Sequence, residues 1–417
     1  ADIHTSEIVE YLLGDPATRV IAIFAETLKD PAAFRRAVRR ASEAGKPIVI
    51  LKVGRTELAT RLAEAHTGSV TGDDRVFDVL CRQENVVRVG SLEALVTTAG
   101  ILAATGRIEG GIAIISISGG ACEVIADAAE EAGLELPAFS DDTMRALAEV
   151  MPEFGSVFNP LDVTGAAVSD PTLFEKVLTI LAADPAIGMT ACVYDLANDP
   201  AQYVNPAILA CIGRGLRASR TPGLLLNQTT RPVSAFSREL MEKHGIPGVT
   251  GGLANAVMGL AAAVRWSRGL GVVRRDPEMG PVGGDRPSSE REALAHLHRH
   301  GVPVVPHALA TTAAEAIAAW RHMGGPVVLK IASPDIAHKT DIGGVRLDLE
   351  GEQAITDAFD GIMAAARKAR PDARLEGCLV MPMRRGGIEL FVGTAQTQWG
   401  PAIAVGLGGI WIELLSD

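Results

Sequence analysis

At 417 residues, the chain exceeds the size at which a single core keeps growing, so two or three domains of roughly 100–200 residues are expected. The formal net charge of −11 leaves no basic excess to neutralise a phosphodiester backbone, which argues against nucleic-acid binding. With 47% apolar and 21% charged residues the composition is that of a folded globular protein, and 4% aromatic content makes its core aliphatic.

No stretch reaches the roughly 18 apolar residues that a membrane span requires, and the longest, such as GIAIISIS, have strand length. The five cysteines, Cys81, Cys122, Cys192, Cys211 and Cys378, are odd in number and lack a CxxC pair. Neither a disulfide framework nor a zinc site is expected, and a reducing cytoplasm fits best. The chain starts on Ala rather than Met, without signal-peptide character, and stops at GGIWIELLSD; it reads as an internal piece of a longer polypeptide.

Strand-length apolar runs alternate with helical patterns almost from end to end. TRVIAIFAE, PIVILKV, GIAIISIS, MTACVYDL and PGLLLN read as buried strands. PAAFRRAVRRASEA, DDRVFDVLCRQ, SLEALVTTAGILAAT, EVIADAAEEAG, DPTLFEKVLTILAA and SRELMEKHG read as helices between them. Repeated βα units predict doubly wound parallel sheets, with one domain over residues 1–106 and a second over 107–273. Residues 274–290, rich in Gly, Pro and charge, form a linker. From 291 to 417 two helices precede PVVLKI, GVRLDL, a further helix EQAITDAFDGIMAAARKA, and GCLVMPM, IELFVGTA and AIAVGL, which predicts an α+β domain.

No Walker A loop, strand-linked GxGxxG, GxSxG or HExxH is present, so any nucleotide chemistry uses another cradle. His66 lies in AEAHTGSVTG, a loop without a hydrophobic wall, and glycines give that loop backbone freedom. A histidine's ordinary pKa of about 6.5 leaves much of it neutral and nucleophilic at neutral pH; an ordinary solvent-facing histidine is the competing reading. At Ser118-Gly119-Gly120 a buried strand runs straight into a helix, where backbone amides and the helix dipole suit a phosphate. An ordinary tight βα turn fits equally. Cys122, at that helix start, reads as a packed thiol rather than an activated one.

Lys330 ends the buried strand PVVLK, a costly place for an ammonium unless an anion meets it. The loop beyond it carries Ser333, His338, Lys339, Thr340, Gly343 and Gly344, donors and glycines able to cover a polyphosphate. The alternative is a lysine snorkelling to solvent above a plain turn. His296, His298 and His300 sit in the last turn of a helix before Gly301 and read as surface residues.

KVGRTELATRLAEAHTGSVTG, SISGGACEVIAD, FNPLDVTG, SEREALAHLHRHGVPVVP, PVVLKIASPDIAHKTDIGGV and GPAIAVGLGGIWIELL together resemble the NDP-forming acyl-CoA synthetases. These are the ADP-forming acetate–CoA ligases of the succinyl-CoA synthetase superfamily. The resemblance implies flavodoxin-like, succinyl-CoA ligase-like sheets followed by an ATP-grasp domain. It further implies that carboxylic acid, CoA and ATP are interconverted with acyl-CoA, ADP and phosphate through an acyl-phosphate. His66 corresponds to the phosphorylated histidine, with Ala65 where the family often has Ser, and Ser118-Gly119-Gly120 would hold its charge. His338, of the motif ending in Lys339, would relay the phosphoryl group. Lys330, Gly343 and Gly344 would bind nucleotide phosphates, Met381 and Met383 would border the adenine, and Glu389 and Glu413 match acidic positions nearby.

Mg²⁺ would accompany ATP, with ligands unknown. The family's amino-terminal CoA-binding domain is not visible, and its late magnesium-ligand motif lies beyond Asp417, so complete CoA and metal sites are not expected. A homo-oligomer is expected, with neither nucleic acid nor membrane as partner. Two other classes compete: a regulatory ligand-binding module of a protein acetyltransferase, against which retention of His66 speaks, and a metabolite-sensing scaffold.

Overall fold

The computed structural model describes residues 3–56, 58–59, 74–152, 157–219, 221–272 and 287–408. The chain forms two compact units, one of residues 1–275 with 392–404 and one of 276–391 with 405–417.

The first unit opens with a three-stranded parallel sheet, β1 (Ile21–Ala25), β2 (Ile48–Lys52) and β3 (Val87–Arg88), in the order β1-β2-β3. Its helices begin where the sequence supplies caps. Asp30 accepts the Ala33 amide at 2.8 Å ahead of helix Pro31–Glu43, whose proline sits in the first turn. Ser91 caps helix Leu92–Thr105 in the same way.

A second sheet follows, fully parallel: β4 (Gly111–Ser116), β5 (Leu161–Asp162), β6 (Ile187–Val193), β7 (Gly223–Asn227) and β8 (Val249–Gly251). The strand order β5-β4-β6-β7-β8 is the flavodoxin-like one. The chain leaves β4 to one side and returns to the other, so a crevice opens at the carboxyl end of β4. Burial on both faces explains the near-continuous apolar runs: every residue of β6 is buried.

Alternation along the strands distributes the core. Ile48 and Ile50 join Phe34, Val38 and Phe77 on one face of the first sheet. Val49 and Leu51 point the other way and share a core with Ile112, Ile114, Met189 and Leu224 of the second sheet. Helix Leu253–Arg268 lies in that shared layer and contributes Val257 and Leu260 to it. The boundary near Gly106 therefore separates two sheets without dividing the core.

In the second unit, helix Glu290–Arg299 precedes β9 (Ala308–Ala310), helix Ala313–Met323, β10 (Val327–Ala332), β11 (Val345–Leu349), helix Glu352–Ala369 and β12 (Gly377–Pro382). The sheet is antiparallel, ordered β11-β10-β12-β9. Val327, Leu329 and Ile331 face the helices Ala313–Met323 and Glu352–Ala369. The opposite face is thinner: Ala332, Leu379 and Met381 meet Leu294, Val305 and Leu309. Lys330 lies on that thinner face by alternation. β13 (Leu390–Thr397) and β14 (Gly400–Leu407) pair as a separate two-stranded sheet.

Among the described residues no helix is long and apolar enough to cross a membrane.

Candidate functional site

In the first unit the carboxyl end of β4 runs into helix Gly119–Ala132 through Ser118, the N-cap. Ser118 takes up one orphan amide, accepting from Ala121 N at 3.3 Å, while its own amide donates to Ser116 Oγ at 3.1 Å. The amides of Gly119 and Gly120 have no acceptor among the described residues. They lie at the positive end of a 14-residue helix, which is the physical basis of an anion cradle.

An acid stands beside that cradle. Asp162, at the end of β5, places Oδ2 3.1 Å from where a side chain on Gly119 would begin, and its Oδ1 accepts the Thr164 amide at 2.8 Å. Cys122 agrees with its packed reading: burial, then the Asp162 and Glu123 charges, push the thiol up to about 11, so it is not a thiolate at neutral pH.

The first sheet holds a group of charges that no motif announces. Lys52 shares the face of Ile48 and Ile50 and is 2% exposed. Its Nζ lies 3.9 Å from Asp74 Oδ1 and 5.7 Å from the centre of the Phe77 ring, and donates one long bond, 3.4 Å, to Val53 O. Arg88 binds the same Asp74 oxygen at 2.6 Å. Burial pushes the Lys52 ammonium below its ordinary range; Asp74 opposes the shift and Arg88 adds to it. Lys52 ends β2 and Asp74 begins helix Asp74–Gln83, so the two bracket residues 53–73. His66 belongs to that segment and lies outside the described residues, as does Glu413.

In the second unit Lys330 donates to Glu290 Oε1 at 3.1 Å, and Lys339 reaches Glu290 Oε2 at 2.9 Å. Burial alone would raise the Glu290 carboxyl; hydrogen bonds from Lys339 and Lys330 and their charges outweigh it, and the net shift is downward. Glu290 is therefore ionised at neutral pH. Lys330 and Lys339 keep side-chain exposures of 31% and 18%, which leaves them reachable by a ligand.

The glycine pair shapes this arrangement. Gly344 donates to Lys339 O at 2.8 Å, and its carbonyl accepts from Ile331 N at 2.8 Å, folding the loop back onto β10. A side chain on Gly344 would meet Ile331 Cγ2 at 2.8 Å and Lys339 O at 2.9 Å. Gly343 adopts φ of +68° and donates to Thr340 O. Both amides serve the loop's own carbonyls, so the pair positions Lys339 by its backbone.

His338 is exposed and has no side-chain hydrogen bond or ion pair with the described residues. Met381 is buried on the Lys330 face of the sheet, Met383 lies just past β12 and donates its amide to Pro326 O, and Glu389 is exposed. The His296 and His300 rings lie 4.6 Å apart between centres and are tilted by 48°. Among the described residues no group of three or more His, Cys, Asp or Glu is placed to hold a metal ion, so no magnesium ligand is assigned.

Sequence reasoning found Lys330 by the rule that a lysine in a buried strand needs an anion, although the structure places it mid-strand, since β10 runs on to Ala332 rather than ending at Lys330. The same rule applied to PIVILKV finds Lys52. Glu290 gives no such signal, because it falls at the end of the charged stretch 274–290.

Parallel flavodoxin-like sheets followed by an antiparallel sheet with a cationic loop define a CoA-ligase architecture joined to an ATP-grasp domain. Three family models cover the chain in that order: a succinyl-CoA ligase-like flavodoxin domain over 1–102, a ligase-CoA domain over 112–274 and an ATP-grasp domain over 283–417. Acetate–CoA ligase (ADP-forming) I of Archaeoglobus fulgidus is 31% identical over 99% of this chain and 60% of its own length. A trans-feruloyl-CoA synthase from an unknown prokaryotic organism is 32% identical over 99% of this chain and 59% of its own. The chain thus spans about 60% of the curated relatives it matches. The dinucleotide-forming acetyl-coenzyme A synthetase 1 of Ca. Korarchaeum cryptofilum, solved with phosphate and ADP, has the same fold: TM-score 0.55 and 22% identity, over 64% of this chain and 57% of that one. The chain belongs to the NDP-forming acyl-CoA synthetases, the family of the ADP-forming acetate–CoA ligases.

Proposed function

We propose that the chain carries the phosphoryl-transfer parts of an ADP-forming acid–CoA ligase. In the direction of ATP synthesis, phosphate attacks the thioester carbonyl of acyl-CoA and CoA leaves as thiol, giving an acyl-phosphate. The neutral imidazole of His66 then attacks phosphorus, and the carboxylate leaves. The imidazole of His338 attacks the phosphorus on His66, which leaves as free imidazole; the β-phosphate oxygen of ADP then attacks the phosphorus on His338, and both histidines return to their starting state. The reverse sequence activates the acid.

The residues divide this work by charge. Ser118, Gly119 and Gly120 hold phosphoryl oxygens with backbone dipoles at one station. Lys330 holds nucleotide phosphates at the other, Gly343 and Gly344 shape its loop, and Met381 and Met383 border the base. Glu389 and Glu413 are assigned to the nucleotide end on family grounds alone. Mg²⁺ is taken to enter with the nucleotide, offsetting phosphate charge there. The acid is drawn from the short-chain, aryl and hydroxycinnamic classes used by the family, and the enzyme works in the cytoplasm as a homo-oligomer. Free thiols at all five cysteines fit that compartment. Domain limits of 1–106, 107–273 and 291–417 go with this reading.

The observation that carries the proposal is the pairing of Lys330 and Lys339 on Glu290 at an ATP-grasp sheet, in a chain whose Gly119 and Gly120 amides have no acceptor among the described residues. The test uses γ-labelled ATP with magnesium. The intact polypeptide should acquire acid-labile, base-stable label, His66→Ala should keep only the part that His338 carries, and His338→Ala should acquire none. Equal labelling of His338→Ala overturns the relay; ATP binding without any labelling favours the regulatory module.

A further inference from the structure

The two lysines of the second unit do not reach their places independently. Lys330 sits mid-strand in β10, and Lys339 lies on the loop that follows, yet both ammonium groups end on the two oxygens of one carboxylate, Glu290. Two like charges brought this close repel, and a single anion between them offsets that repulsion.

Glu290 itself is held with unusual thoroughness for a residue in the first turn of a helix. Ser289 caps the helix by accepting Glu292 N at 3.3 Å. The Ser288 amide and hydroxyl donate to Glu292 Oε2 at 2.7 and 2.9 Å. Arg291 Nε binds Glu376 Oε2 at 3.2 Å, and the Glu376 amide donates to Ala332 O at 2.8 Å, tying the helix start to the end of β10. The helix start that carries Glu290 is therefore tied to the strand that carries Lys330.

An ammonium has three donors. Glu290 uses one from each lysine, and the remaining donors have no acceptor among the described residues. The triad carries one positive charge in excess, with spare donors from two nearby nitrogens. A diphosphate, with oxygens on two phosphorus atoms, offers such a pair more acceptors and more negative charge than a single phosphate does.

We propose that Glu290 is a positioning residue of the nucleotide site: it gathers Lys330 and Lys339 in advance, so that a nucleoside di- or triphosphate meets two oriented ammonium groups. This rests on the nucleotide reading of Lys330 given above. Preorganisation lowers the ordering cost of binding, and the effect is on affinity for polyphosphate rather than on the chemical step.

The experiment measures dissociation constants of ADP, inorganic pyrophosphate and AMP for the intact polypeptide and for Glu290→Gln, Glu290→Asp and Lys330→Met, with thermal midpoints recorded alongside. Glu290→Gln should weaken ADP and pyrophosphate about tenfold and AMP much less. Glu290→Asp, a charge-preserving but shorter side chain, should recover part of the loss at an unchanged midpoint. Wild-type or tighter ADP binding by Glu290→Gln, with Lys330→Met impaired, overturns the positioning role and leaves the nucleotide site standing. Wild-type binding by Lys330→Met overturns the nucleotide reading itself. Should Glu290→Gln fail to fold, Glu290→Asp decides: weakened ADP binding at a native midpoint supports the role, and unchanged binding overturns it.

Discussion

The amides at the start of helix Gly119–Ala132 and the lysines around Glu290 are two different ways of attracting an anion. The first has no formal charge of its own and an acid, Asp162, at its edge. The second carries two ammonium groups and one carboxylate. Backbone dipoles are fixed by the helix, recognise oxygens by direction and fade within a turn. Ammonium groups attract over a longer range and are screened by salt. A relay needs both ends to release what they bind, so an amide station tempered by an acid and a cationic station tempered by a carboxylate follow one logic. On the proposed relay, each station would hold its anion with part of its strength cancelled.

The largest break in this comparison comes from Lys330→Met. It removes one ammonium and leaves Glu290 with a single partner, and ADP-dependent turnover should fall about 100-fold. Phosphate binding measured on the first unit's side, as protection of the Cys122 amide region in hydrogen exchange, should not change. Loss at both stations would show that they are not separate.

Ionic strength sharpens the same contrast less drastically. Between roughly 0.05 and 0.5 M salt the Debye length falls to a few ångström. ADP affinity should drop several-fold across that range, while inorganic phosphate at the amide station should respond less. Equal slopes would mean that charge, not amide geometry, holds both anions.

A smaller effect is expected from Asp162→Asn. The substitution keeps the Oδ1 acceptor for Thr164 and removes the negative charge beside Gly119. Phosphate should bind about threefold more tightly, and alkylation of Cys122 should quicken, because the Asp162 charge is one of the causes that raise its thiol after burial. Unchanged affinity would place the phosphate elsewhere.

The sequence is informative where burial writes a pattern. The five apolar runs become β1, β2, β4, β6 and β7; β2, β4, β6 and β7 are near-continuously apolar because they are covered on both faces, whereas β1, read as a buried strand, leaves Ala22 and Phe24 exposed on one face. β3, β5, β8 and β9 have two or three residues each, too few to show any period. Helix Leu253–Arg268 is buried over most of its circumference and leaves only a narrow exposed stripe, Ala254, Met258, Arg265 and Arg268, two of them apolar, so it lacks the broad polar face that marks a helix. At the sites, Lys330 and the Ser118 turn are legible as local oddities: a charge in a strand, glycines at a helix start. Glu290 and the partners of Lys52 are not, since their meaning comes from elements brought together over distance. Glu290 meets a lysine 40 residues away. For His66 and Glu413, which lie outside the described residues, the sequence alone speaks.

Acid should separate the two units in a last and smallest way. His244 ends helix Ala235–His244 in the first unit, is 8% exposed, and its Nε2 has no hydrogen-bond partner among the described residues. Burial, with a further contribution from Lys243, lowers its pKa below the ordinary value. The unfolded chain therefore binds a proton here that the folded chain resists, so the associated stability is full above the unfolded value of about 6.5 and is lost as pH falls toward the folded one. In the second unit, the carboxylates Glu290, Glu292, Glu315 and Asp335 are shifted downward by their partners. Their contribution stays complete down to the ordinary carboxylate range and is lost only below it. Between about pH 6.5 and 5 the first unit should loosen while the second holds, seen as faster amide exchange around residues 235–246 alone. His244→Gln should remove that pH dependence and leave the acid transition of the second unit where it was; loosening of both units together in this window would show that their stabilities are not set by these local charges.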